Sequence, residues 1–166
     1  MKCATCGEDH DLLDPTFRRP EAVVSLPKAE RAARVKESDD LCALWAASEA
    51  ESHRYFVRCV LKVALLDAEG EAAWGLWAEV GEADFRLIVE KWSDPQQAEL
   101  PPMAALLANR IPAYPETLGL PATLRLTGPT TRPDLTLSGS SIHPFAMECQ
   151  NGVCTHRVME WLEDMK

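Results

Sequence analysis

The chain has 166 residues, 46% hydrophobic and 26% charged. That is globular composition, too apolar for a disordered chain, and it gives one domain a real core, since a globule of this size buries about 68–70% of its unfolded surface. With 26 acidic and 17 basic residues the formal charge is −9, which favours solubility and disfavours nucleic acid as a partner. The longest uncharged apolar stretch, Ala72 to Ala78, is far short of the ~20 residues of a membrane helix. Glu8, Asp9 and Asp11 stand where a signal peptide needs an apolar segment, so a cytoplasmic protein with no membrane partner is expected.

Proline divides the chain: three precede Lys28, none lies between Lys28 and Asp94, and nine fall between Pro95 and Pro144. Pro27 suits the first position of a helix running to about Lys36, where its missing N–H has no partner to lose; Ser38-Asp39-Asp40 ends it. From Leu41 the period becomes two. In Arg54 to Leu66 the residues Tyr55, Val57, Cys59, Leu61, Val63 and Leu65 share one face, and in Ala73 to Val80 Trp74, Leu76, Ala78 and Val80 do the same. Short polar connectors make these segments an antiparallel meander.

After Gly81, Phe85, Ile88, Val89 and Trp92 fall at i, i+3, i+4 and i+7, an apolar helical stripe. A shorter helix is expected over Pro102 to Arg110, presenting Met103, Leu106 and Leu107. Thr123 to Thr127 and Leu135 to Ser138 read as weaker strands that extend the sheet at an edge. The last helix carries Cys154, Val158, Trp161, Leu162 and Met165 on one stripe, with Asn151 and Gly152 at its cap. Trp74 belongs to the core, whereas Trp77 faces the other way, under a helix or in a contact surface.

Six cysteines in a chain without a secretion signal point to thiols or metal ligands rather than disulfides. Cys3-Ala-Thr-Cys6-Gly7 is a CxxCG turn that aims two sulfurs at one point, which is half of a tetrahedral zinc site. His10 and Cys42 are the candidates that complete it, Cys42 because it opens the first strand. Residues 1–14 then form a knuckle attached to a single domain over 1–166, with structural zinc as cofactor. Two other readings of Cys3 and Cys6 stay open: free thiols on a loose end, or a redox pair, although redox chemistry lacks the preceding strand that it needs. Cys59 and Cys154 read as small buried hydrophobes.

No phosphate-binding, dinucleotide-binding, nucleophile-elbow or zinc-protease string occurs, and no catalytic residue is singled out. In the proline-rich region Arg110, Tyr114, Arg132 and His143 could bind a carboxylate or phosphate if they converged. Near His143, the serines Ser138, Ser140 and Ser141 are turn and cap residues rather than nucleophiles.

Taken in order, Cys3-Ala-Thr-Cys6-Gly7-Glu8-Asp9-His10, Asp40-Leu41-Cys42, Tyr55-Phe56-Val57-Arg58, Trp74-Gly75-Leu76-Trp77, Ile111-Pro112-Ala113-Tyr114-Pro115, Arg132-Pro133 and His143-Pro144-Phe145-Ala146 resemble the pattern of a bacterial family, domain of unknown function 2199. The resemblance spans nearly the whole chain and implies a small single-domain bacterial protein; it brings no reaction with it. It groups Cys3, Cys6, His10 and Cys42. The expected fold is α+β, a single antiparallel sheet of about five strands with helices mainly on one face. The expected function is a non-enzymatic binding or regulatory protein with a protein partner, or alternatively a small enzyme using Arg110, Tyr114, Arg132 and His143.

Overall fold

Alternating hydrophobicity organises the centre of the molecule. The computed structural model describes residues 14–166. In it, the two period-two segments form one long hairpin, with β3 (Arg54–Ala64) antiparallel to β4 (Glu71–Val80) from Tyr55 opposite Val80 to Ala64 opposite Glu71. Before it come two short helices, α1 (Glu21–Val24) and α2 (Lys28–Arg34), and two short strands, β1 (Val35–Glu37) and β2 (Leu41–Leu44). After it come α3 (Glu82–Lys91), β5 (Met103–Leu107), β6 (Pro121–Arg125), β7 (Asp134–Leu137), α4 (Pro144–Asn151) and α5 (Thr155–Asp164).

The sheet is neither open nor wholly antiparallel. β4 pairs with β5, β5 with β6 and β6 with β7, all antiparallel; β7 then returns beside β3 in parallel, with Val60 opposite Asp134. β3 to β7 therefore close a mixed barrel of five strands, with β1 and β2 as an extension beyond β3. This overturns the single antiparallel sheet expected from the sequence, and β3 is the reason. It is 11 residues long and divides one edge between two partners. Residues 54–57 pair with β2, while Val60 donates its N–H to the Pro133 carbonyl at 2.8 Å. The strands expected at a sheet edge are the ones that close the ring.

Two local expectations change as well. The segment expected as a helix over Pro102 to Arg110 contains β5, with Met103, Ala105 and Leu107 buried and Ala104 and Leu106 exposed. Met103, Leu106 and Leu107 also fit helical spacing, and the inward alanine gave alternation no weight. The end of the helix expected after Pro27 is strand: α2 stops at Arg34 and Val35 is already extended.

Small barrels are filled by side chains. Here Val57, Cys59, Leu61, Val63, Trp74, Leu76, Leu107, Leu124, Leu135 and Leu137 join Ile88 of α3, Phe145 of α4 and Val158 and Trp161 of α5 in one core. Trp74 packs against Phe145 with ring centroids 5.9 Å apart and against Trp161 at 5.1 Å. A second, smaller core lies on the other face, where Val23, Cys42, Leu44, Phe56, Trp77 and Ala108 pack with Phe17, Ala22, Leu26 and Val35. Trp77 is thus covered by the amino-terminal segment, and its ring N–H donates to the Phe17 carbonyl at 3.2 Å. Among the described residues, no helix is long and apolar enough to cross a membrane.

Candidate functional site

The four residues of the proline-rich region enter different surroundings. Arg110 is exposed and pairs with Glu116 at 3.0 Å and Glu21 at 3.5 Å. Tyr114 is half-buried: its hydroxyl donates to the Glu148 carboxylate and accepts from the Trp161 ring N–H at 2.6 Å, with the Arg157 guanidinium over its ring. Burial first, and then the Glu148 carboxylate, push this phenol above its ordinary range. His143 caps α4, its Nδ1 accepting the Phe145 N–H at 3.1 Å, and its Nε2 is buried with no hydrogen-bond partner among the described residues. Arg132 reaches back to Asp40 at 2.8 Å and lines a polar hollow of about 650 Å³ with Lys62, Asp134 and Thr131. Tyr114 and His143 both adjoin Phe145; Arg110 and Arg132 open onto separate hollows.

Of the expected zinc ligands, Cys3, Cys6 and His10 lie outside the described residues. Cys42 is 1% exposed and packs in the second core. Burial, reinforced by Glu37, pushes its thiol up to about 12, so the protonated, apolar form is the one its surroundings favour.

A more apolar recess lies elsewhere among the described residues, a groove of about 720 Å³ between β2, the start of β3 and α3. Its formation follows from the stripe on α3. Ile88 is fully buried, worth ~1.5–3 kcal/mol of apolar burial, and sets the helix down across β3 with Phe85 on Tyr55 at a centroid distance of 4.9 Å. Val89, one position further round, is left 49% exposed and faces the groove. Leu41 and Ala43 line the facing wall.

At the mouth stands Trp45, 40% exposed, edge-on to the His53 ring at 4.9 Å and 87°. His53 Nδ1 accepts the Ala46 N–H at 2.9 Å, which leaves the ring proton of its neutral form on Nε2. The rim is charged. Arg86 pairs with Glu82 at 2.7 Å, Glu37 is held by Arg19, and Lys36 makes no ion pair among the described residues. An apolar wall with a few polar groups at its mouth is the usual chemistry of a small-molecule site, and the volume lies within the usual range of about 300–1,000 Å³. Neither Trp45 nor His53 is among the site residues expected from the sequence. The available signal was an aromatic residue directly after a strand of buried residues.

The family model for uncharacterized proteins conserved in bacteria, domain of unknown function 2199, matches residues 2–153. The chain belongs to this family. The DUF2199 match takes in every wall of the groove, whereas α5 lies beyond it. No curated protein matches the chain, and neither does any solved structure.

Proposed function

We propose that this protein is a non-enzymatic binding protein whose groove takes a small amphipathic anion: an aromatic or aliphatic body against Tyr55, Phe85 and Val89, and a negative group near Lys36. The observation that carries the reading is the exposure of Trp45 and Val89 on the walls of a recess that the fold does not fill. Leaving such apolar surface in water has a cost that a ligand of matching shape removes. A protein partner docked at Trp77 loses its surface, because that ring is 1% exposed. An enzyme built on Arg110, Tyr114, Arg132 and His143 lacks a common hollow for the four side chains among those described.

The test uses an anionic naphthalene sulfonate dye as probe. Saturable one-to-one binding is expected. Val89→Glu, which puts a carboxylate on the exposed wall, weakens it by about tenfold, and Lys36→Gln weakens it less. Unchanged binding in Val89→Glu sinks the assignment.

For the amino-terminal thiols we propose a structural zinc ion on Cys3, Cys6 and His10, without Cys42. Leaving Cys42 out rests on its packing: the side chain is buried in the second core and its thiol is pushed up to about 12, which supports the protonated, apolar form over a metal-bound thiolate.

A further inference from the structure

Beside the turn Ser38-Asp39-Asp40 lies a second, polar cleft of about 320 Å³, lined by Arg18, Arg19, Glu37, Ser38, Asp39 and Arg58. Its three guanidinium groups stand in different states of neutralisation. Arg19 is satisfied by a two-pronged pair with Glu37, its Nε at 3.0 Å and its Nη2 at 2.7 Å. Arg58 reaches no carboxylate: its Nη1 donates to the Asp39 backbone carbonyl at 3.3 Å, and its Nε is buried with no partner among the described residues. Arg18 is exposed and makes no ion pair among them. Next to the cleft, Arg132 is held by Asp40. With those two pairs cancelled, the exposed Asp39 is the one carboxylate left facing Arg18 and Arg58 among the described residues, in a chain whose formal charge is −9. A buried guanidinium donor without an acceptor costs on the order of 1–3 kcal/mol or more, and an oxyanion with several acceptor oxygens removes that cost.

We infer that this cleft binds a phosphate group, with the guanidinium groups of Arg18 and Arg58 as its two charged donors. Arg58 is set for the role by its place on β3. Its N–H is fixed to the Asp40 carbonyl at 2.8 Å, so its side chain leaves the strand beside the turn. The Ser38 hydroxyl accepts the Leu41 N–H at 3.1 Å and holds that turn closed. Burial first, then Arg132, holds the Arg58 guanidinium below its ordinary range, with Arg18 acting the same way and Asp40 and Asp39 opposing. An added dianion acts in the opposite sense to that repulsion. Glu37 and Ser38 also line the apolar groove, but the cleft takes its ligand through the charge of Arg18 and Arg58, which do not line the groove.

The test is a titration of the full chain with inorganic phosphate and, separately, with glycerol phosphate, followed by the Nε–Hε signals of the arginines in nitrogen–proton NMR. A saturable shift of the Arg58 signal is expected with both, weakening as sodium chloride is added. The tighter of the two identifies the free ion or the monoester as the source of the group. Arg18→Gln, at an exposed position, weakens binding by about tenfold without changing the melting temperature. Arg58→Lys weakens it further, because an ammonium cannot present the same fork of donors. No saturable shift, an equal affinity for acetate, or unaltered binding in Arg18→Gln overturns the inference.

Discussion

Gly75 of β4 lies so close under Thr16 that a β-carbon on it would stand 2.7 Å from the Thr16 hydroxyl oxygen. The contact exists because β4 pairs with β5 only around Ala78 and Glu79. Lower down, the amino-terminal segment serves as the missing neighbour: Gly75 donates its N–H to the Pro15 carbonyl and accepts the Phe17 N–H, both at 2.9 Å. Gly75→Ala should push this segment off the strand at a cost of ~1–3 kcal/mol. Hydrogen exchange should rise first at Phe17 and at position 75. Thr16→Ala on the same background should recover part of the loss, giving a non-zero coupling in a double-mutant cycle.

Asn109 does the work of a strand at the same gap. It is fully buried; its side-chain oxygen accepts the Trp77 N–H at 2.7 Å and its amide donates to the Arg19 carbonyl at 2.9 Å. Asn109→Leu removes both partners and leaves the buried Trp77 N–H unpaired, costing ~1–3 kcal/mol, with a smaller loss at the part-buried Arg19 carbonyl. The measurement is the urea midpoint, and a loss no larger than that of an exposed substitution counts against this role.

Much of this was visible in the chain and some was not, for identifiable reasons. Alternation in β3 and β4 and the stripe on α3 are local, one-dimensional patterns, so they survive into the structure, with Val89 as the one member of the stripe left exposed. The closure of the barrel depends on Val60 meeting Asp134, a pairing that no periodicity encodes. Arg132 likewise finds Asp40 across 92 positions, and so sits by the Ser38 turn rather than beside Arg110. The groove brings together Trp45, Tyr55 and Phe85 from three separate elements, each of which reads alone as an ordinary core or surface residue. β5 is ambiguous in the sequence because Met103-Ala-Ala-Leu-Leu satisfies two periods at once.

Two raised thiols, the buried Cys42 and the half-buried Cys149, give the stability a dependence on alkaline pH. Cys42 and Cys149 are both pushed up to about 12 by burial, from a usual value of 9.0. Between these values the unfolded chain has lost the protons that the folded chain keeps. The folded state then binds more protons, so stability falls as pH rises above 9.0 and levels off only past the folded values. The slope is at most ~1.4 kcal/mol per pH unit for each thiol. Cys42→Ala and Cys149→Ala should each flatten the decline of the urea midpoint between neutral and alkaline pH. Parallel curves for parent and variants would falsify the assignment. At neutral pH the buried Cys42 thiol should react with a disulfide reagent only after unfolding.

Cys42→Ala also separates the two roles open to that residue. If the ion is held by Cys3, Cys6 and His10, protein purified without added metal should carry one zinc per chain. Cys42→Ala should keep it while melting earlier, because a buried side chain in contact with Leu44, Phe56 and Trp77 has been cut back. Cys6→Ser should lose the metal, since a hydroxyl is a poor zinc ligand beside a thiolate. Its stability should fall to that of the parent treated with a chelator and no further. Elemental analysis and melting curves of the two variants decide the matter. Loss of zinc in Cys42→Ala would return Cys42 to the ligand set, and a metal-free parent that melts like Cys6→Ser would remove zinc from the account altogether.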